Sequence, residues 1–146
     1  MLGYYKDPEA SAAAFTDDGW LRTGDMGTMD SEGFVFIKGR YKSMYLGPSG
    51  QNIYPEEIES MLNNMPYITE SLVIEKEGKL VALVYPNFEA VSEAGLSGRQ
   101  LEEIMIENLR LLNEEQPNYA KVTKIKIFPE EFEKTPKKSI KRFLYT

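Results

Sequence analysis

Cysteine and histidine are both missing from this 146-residue sequence. Without cysteine there are no disulfides and no thiol nucleophile. Without histidine the commonest general base and metal ligand is gone, so Ser-His and Cys-His catalysis within the chain is excluded and no metal site is expected. Long apolar runs are missing too. Nothing approaches the roughly 18 residues that a membrane-spanning helix needs, so no transmembrane segment is expected. The start, MLGYYKDPEA, has neither the basic nor the apolar region of a secretion signal. A cytoplasmic location is the expectation, and Met1-Leu2-Gly3 running straight into aromatic-rich sequence reads as an excised piece of a longer protein. Positive charge is outnumbered, 17 basic groups against 23 acidic, and unevenly placed. Residues 1–133 hold 12 basic and 23 acidic groups, a net of -11, whereas the remaining residues hold Lys134, Lys137, Lys138, Lys141 and Arg142. The acidic body argues against nucleic acid as a partner and makes the basic tail a local device.

What is present is enough for one ordinary core, with 42% hydrophobic and 27% charged residues. There is no internal repeat, low-complexity tract or heptad pattern. Residues 1–40 are dense in turn signals (TDDGW, DSEGF, KGR) around short apolar pieces such as FVFIK, a β-rich pattern. KSMYLGPSGQNIY reads as strand and turn. In PEEIESMLNNM the apolar Ile58, Met61, Leu62 and Met65 recur at i, i+3, i+4 and i+7, the stripe of an amphipathic helix, with Pro55 suited to its first position. ESLVIEKEGKLVALVYP reads as two strands joined at Glu77-Gly78. Ser97 and Gln100 form a capping box for a longer helix, whose stripe is Leu101, Ile104, Met105, Leu109 and Leu112, before Pro117 stops it. VTKIKIF gives a last strand. The order β, α, β, β, α, β predicts an α+β fold, a small sheet with two main helices packed on one side, preceded by a β-rich segment.

Five stretches in order carry a resemblance: GYYKDPEAS (3–11), GWLRTGD (19–25), DSEGFVFIKGRYKSMY (30–45), GQNIYPEEIE (50–59) and KTPKKSIKR (134–142). Together they resemble the C-terminal portion of the adenylate-forming (AMP-binding) acyl-CoA synthetases, with bacterial long-chain fatty-acid-CoA ligases the most similar branch. The resemblance implies an ATP-dependent acid-thiol ligase. A carboxylic acid and ATP give an acyl-adenylate, CoA then takes the acyl group as a thioester, and a small C-terminal lid rotates between the two half-reactions. Residues 1–41 would be the tail end of the N-terminal AMP-binding domain and 42–146 the lid. The implied partners are that N-terminal domain, ATP or AMP, CoA and the carboxylic acid. ATP with Mg2+ and CoA would be substrates of the full enzyme, none of them tightly bound to this chain. The phosphate loop and acyl pocket have no counterpart here, so the fragment alone is expected to be inactive. An adenylation domain loading a carrier protein shares these motifs, and a freestanding binding module is the remaining alternative.

Residue by residue, the resemblance makes Asp25 the carboxylate for a ribose diol, since a carboxylate can accept two hydrogen bonds side by side. Arg40 becomes a second nucleotide contact through its planar fork of donors. Read alone, Asp25 could simply close a turn and Arg40 could be solvated. Lys42 falls at the family's hinge, and Gly47, Ser49 and Gly50 in the loop that helps line the CoA tunnel. The family's tail motif reads approximately Lys-Thr-Pro-x-Gly-Lys-Ile-x-Arg, its second lysine serving adenylation. Without a gap, Ser139 occupies that lysine's position. On an extended tail Lys141 would be the substitute on the same face, with Lys138 second; the plain alternative is that the basic residues only dock the tail on the acidic body.

Overall fold

The computed structural model describes all of residues 1–146, which divide into two compact units, Met1–Ser43 and Met44–Thr146. The first opens with a short helix, α1 (Pro8–Ala13), absent from the sequence-based expectation. Asp7 caps it, its carboxylate accepting from Ala10 N at 2.9 Å, and Pro8 supplies a helical φ at the first position. An antiparallel hairpin follows, β1 (Asp25–Met29) and β2 (Val35–Arg40), with Asp25 opposite Arg40 and a bulge at Met26/Gly27. Asp30 closes its turn by accepting from the backbone N–H of Glu32 and of Phe34, both at 2.9 Å. No residue of this unit is buried, and Trp20, Val35 and Ile37 are 73%, 64% and 67% exposed. A short 3-10 turn, Tyr41–Ser43, ends it.

The second unit begins with a two-residue-per-strand hairpin, β3 (Tyr45–Leu46) and β4 (Asn52–Ile53), then α2 (Pro55–Leu62), which buries Pro55, Ile58 and Leu62. β5 (Ile68–Lys76) and β6 (Lys79–Pro86) pair antiparallel across Glu77-Gly78. Both turn residues have positive φ, 54° and 73°, which suits the right-handed twist of the strands. A short helix α3 (Phe88–Glu93) precedes α4 (Gly98–Glu115), whose capping box between Ser97 and Gln100 is formed as the sequence indicates. β7 (Val122–Ile127) pairs parallel with β6, giving the sheet order β5-β6-β7. Asn113 on α4 fixes where β7 starts: its amide donates to Val122 O at 2.8 Å and accepts from Val122 N at 2.9 Å.

This is the α+β fold expected, with the short helix α3 and a second covered sheet face in addition. The helices cover one sheet face, where Val73, Ala82 and Val84 meet Ile58, Leu62, Leu101, Met105 and Leu112. The opposite face, Leu72, Ile74, Val81 and Leu83, is closed by the chain after β7 through Phe132, with Phe128, Ile140 and Tyr145 beside it. The near-continuous apolar runs of β5 and β6 therefore reflect burial on both faces.

Candidate functional site

Asp25 and Arg40 are brought together by hairpin register. They close the ladder opposite one another, and the Arg40 guanidinium donates to the Asp25 carboxylate and, at 3.1 Å, to Thr23 O. Thr23 Oγ1 accepts from Asp25 N at 3.2 Å, so the loop RTGD is tied to the strand it enters. The hydrogen bond from Arg40 holds the Asp25 carboxyl below the usual aspartate range, and the group is ionised at neutral pH. Asp25 is thus a preset acceptor and Arg40 a preset donor on one exposed rim. Beside them lies an open cavity of about 500 Å³, lined by Arg22, Thr23, Gly24, Arg40, Tyr41 and Lys42 together with α1. Lys42 is exposed in the 3-10 turn, one residue before the last residue of the first unit.

Gly47, Ser49 and Gly50 form the β3–β4 turn. Gly47 N donates to Gln51 O at 2.7 Å, Gly50 N to Gly47 O at 2.9 Å, and Ser49 N to Gln51 Oε1 at 3.2 Å. Gly50 has φ +81°, a conformation that favours glycine, and a Cβ on Gly47 would stand 2.9 Å from Gln51 Oε1. The loop is compact, and Gly47 and Pro48 line a cavity of about 430 Å³ with Tyr45, Lys79 and Tyr119.

The tail is not extended, which corrects the face assignment made from the sequence. Thr135 N donates to Ser139 O and Lys138 N to Thr135 O, both at 2.8 Å, while Lys134 and Ile140 bridge antiparallel. Pro136 supplies the φ of the turn's second position, and Lys138 lies at φ +62°, a left-handed position normally given to glycine. Lys137 and Lys138 are therefore at an exposed tip, and no ion pair involves either ammonium. Lys141 lies on the returning limb, 3.1 Å from Glu133. Alternation along a strand no longer decides which lysine shares a face with Ser139.

Five residues outside the sequence-based candidates hold this tail. Lys134 reaches Glu131 and, at 2.6 Å, Glu70 on β5, and both carboxylates hold its ammonium above the usual lysine range. Arg142 meets Glu59 of α2 at 2.6 Å. Burial pushes the Glu59 carboxyl up against the opposing pull of Arg142. So docking on acidic partners accounts for Lys134 and Arg142 and leaves the tip lysines outside it. The sequence signal for Arg142 was the tail motif. Glu59 had none that separates it from Glu56 and Glu57.

A hairpin ending in an acid–base pair, joined to a three-stranded sheet with helices on one face and a basic tail hairpin on the other, defines a class of small α+β modules. The chain belongs to the AMP-binding enzyme C-terminal domain family, whose pattern matches residues 46–145. It is 33% identical over 99% of its length to the "Probable acyl-activating enzyme 9" of Arabidopsis thaliana, covering 26% of that protein. It is 45% identical over 56% of its length to the "Long-chain-fatty-acid--CoA ligase FadD13" of Mycobacterium tuberculosis, covering 16% of it. Among solved structures, the o-succinylbenzoate CoA synthetase MenE of Bacillus subtilis, in complex with the acyl-adenylate intermediate, superposes with TM-score 0.74. That match has 26% identity and spans all of this chain and 28% of the synthetase. The chain thus spans about a quarter or less of these relatives. No helix in it is long and apolar enough to cross a membrane.

Proposed function

We propose that this chain is the C-terminal end of a longer ATP-dependent acyl-CoA ligase. Residues 1–41 are the tail end of its N-terminal AMP-binding domain, and 42–146 are the lid that rotates between half-reactions. The observation that carries the reading is the pairing of Asp25 with Arg40 on an open rim, within a sequence similar along its whole length to an acyl-activating enzyme. Asp25 accepts from the ribose hydroxyls and Arg40 turns donors toward ribose or phosphate. Lys42 is the hinge, and Gly47, Ser49 and Gly50 line the CoA path. The first unit supports a domain role of this kind, because none of its residues is fully buried and so small a segment without a core of its own gains little stability alone. Its exposed Trp20, Val35 and Ile37 fit against the remainder of the AMP-binding domain.

Tail chemistry follows the same reading. The positive φ of Lys138 supports the ungapped match of the tail motif, in which glycine stands at this place. Ser139 then takes the position of the family lysine and carries no charge. Lys138, free at the tip, and Lys141, held by Glu133, are the candidates to supply positive charge while the acid and the nucleotide are brought together. In this reading Mg2+ enters with ATP. The enzyme is proposed to be cytoplasmic.

The test is an assay of the longer protein with ATP, a panel of fatty acids, and either CoA or a pantetheinylated carrier protein. Acid-dependent AMP release with acyl-CoA as product is expected, and no turnover by the 146-residue chain alone. Transfer only to the carrier protein would replace the CoA reading, and AMP formation by the chain alone would overturn the division of labour.

A further inference from the structure

β5 lies at an edge of the sheet, so one side of its backbone has no strand to pair with. Edge strands usually need some device to satisfy or protect those groups. At Val73 the device is two side chains. Val73 N donates to Glu59 Oε1 at 2.7 Å, and Val73 O accepts from Arg142 Nη1 at 3.1 Å. The ring is closed by Arg142 Nη2, which donates to Glu59 Oε1 at 2.7 Å and to Oε2 at 2.6 Å. A helix residue and a tail residue 83 positions apart thereby imitate the neighbouring strand that β5 lacks.

The pair is enclosed as well as joined. The side chains of Arg142 and Glu59 are only 22% and 12% exposed, so loss of either leaves a poorly solvated charge behind. The other groups around Glu59 do not replace the cation: Glu56 on its own helix adds negative charge, and Tyr45 on β3 is neutral, burial raising its phenol. Arg142 follows directly on the limb that closes the tail hairpin, where Ile140 bridges Lys134 and Lys141 N donates to Glu133 O at 2.8 Å. Lys134 anchors the other limb to Glu70 of the same strand. Fixing both limbs to β5 fixes the direction in which the tip carries Lys137 and Lys138.

We propose that Glu59 and Arg142 are positioning residues, a clamp that holds the tail hairpin on the open edge of β5, and that presentation of the tip ammoniums during acyl-adenylate formation depends on it. The clamp rests on the contacts alone, and its catalytic consequence rests on the ligase reading given above.

The clamp is tested in the 146-residue chain with Arg142→Met, Arg142→Lys and Glu59→Gln, by amide exchange at Val73 and by trypsin cleavage after Lys137 and Lys138. Arg142→Met should accelerate both by on the order of a hundredfold, the scale for removing one partner of a buried pair. Amides of Ala82 and Val84 on the central strand should keep their protection. Arg142→Lys retains the charge without the fork and should recover only part of the loss. Unchanged Val73 exchange and tail cleavage in all three variants would overturn the clamp. In the longer protein, Arg142→Met should lower kcat for acid-dependent pyrophosphate exchange with little change in the KM for ATP. The reaction of preformed acyl-adenylate with CoA should be spared. A loosened tail with undiminished exchange would overturn the positioning role. An unmodified longer protein that forms no acyl-adenylate would instead overturn the ligase reading, and with it the catalytic half of the proposal, while the chain measurements still decide the clamp.

Discussion

Truncating Phe132 to alanine is expected to destabilise the second unit by about 3–5 kcal/mol, the range for deleting a buried phenylalanine. Phe132 is 2% exposed and sits over Leu72, Ile74, Val81 and Leu83, the sheet face that no helix covers. It stacks on Phe128 at 5.1 Å between ring centres and meets Tyr145 edge-on at 5.2 Å, pairings that add to plain area burial. Tyr145 in turn accepts from Glu133 N at 2.8 Å through its hydroxyl, so losing the central ring also loosens the base of the tail hairpin. Since a whole domain is typically stable by about 5–15 kcal/mol, this single change consumes much of the total. Chemical denaturation followed by far-ultraviolet circular dichroism measures it. A loss under about 1 kcal/mol would mean that the tail only rests on the sheet and is not its second covering layer.

The second large effect concerns the tail lysines in the longer protein. Alanine at Lys138 or Lys141 should reduce adenylation by on the order of a hundredfold, as when a preorganised charge is removed from a reacting centre. Thioester formation from preformed acyl-adenylate should be nearly intact. Geometry ranks Lys138 first, because Lys141 is engaged with Glu133 and Lys138 has no anion to hold it. Lys138→Gly separates charge from backbone. It removes the ammonium but relieves a left-handed φ of 62°, a strain on the order of 1 kcal/mol, so it should be slightly more stable than the parent while equally impaired in adenylation. If Lys137, Lys138 and Lys141 can each be removed with small losses, the tail is structural and the charge comes from elsewhere.

Much of the second unit was legible in the sequence because its signals are local. The stripes that bury Ile58, Leu62, Leu101, Met105 and Leu112, the Ser97–Gln100 box and the Glu77-Gly78 turn each lie within a few residues, and all are in place. The short helices α1 and α3, six residues each, were missed because neither spans enough turns to show a periodic stripe. The covering of the second sheet face was missed for a different reason. Phe128, Phe132, Ile140 and Tyr145 follow neither helical nor strand periodicity, and their common burial exists only once the tail folds back. The same applies to the Arg142–Glu59 pair, which no window could join. The tail is not extended because Pro136 and the left-handed Lys138 turn the chain; the proline is visible in the sequence, but a positive φ at a lysine has no signal there. Asp25 and Arg40 were named from the family motif, whereas their mutual contact follows from hairpin register and the bulge at Met26/Gly27, which sequence does not reveal.

The central claim is that a lid beginning at Lys42 turns between two half-reactions of one ligase. Replacing Lys42 with proline fixes φ near −65° at the position that, under this proposal, takes two backbone conformations. The most direct measurement is therefore the pair of half-reactions in the longer protein carrying Lys42→Pro: acid-dependent pyrophosphate exchange, and CoA thioester formation from preformed acyl-adenylate. The account predicts that one fails and the other survives near the unmodified rate. Equal loss of both, or no loss in either, would contradict it.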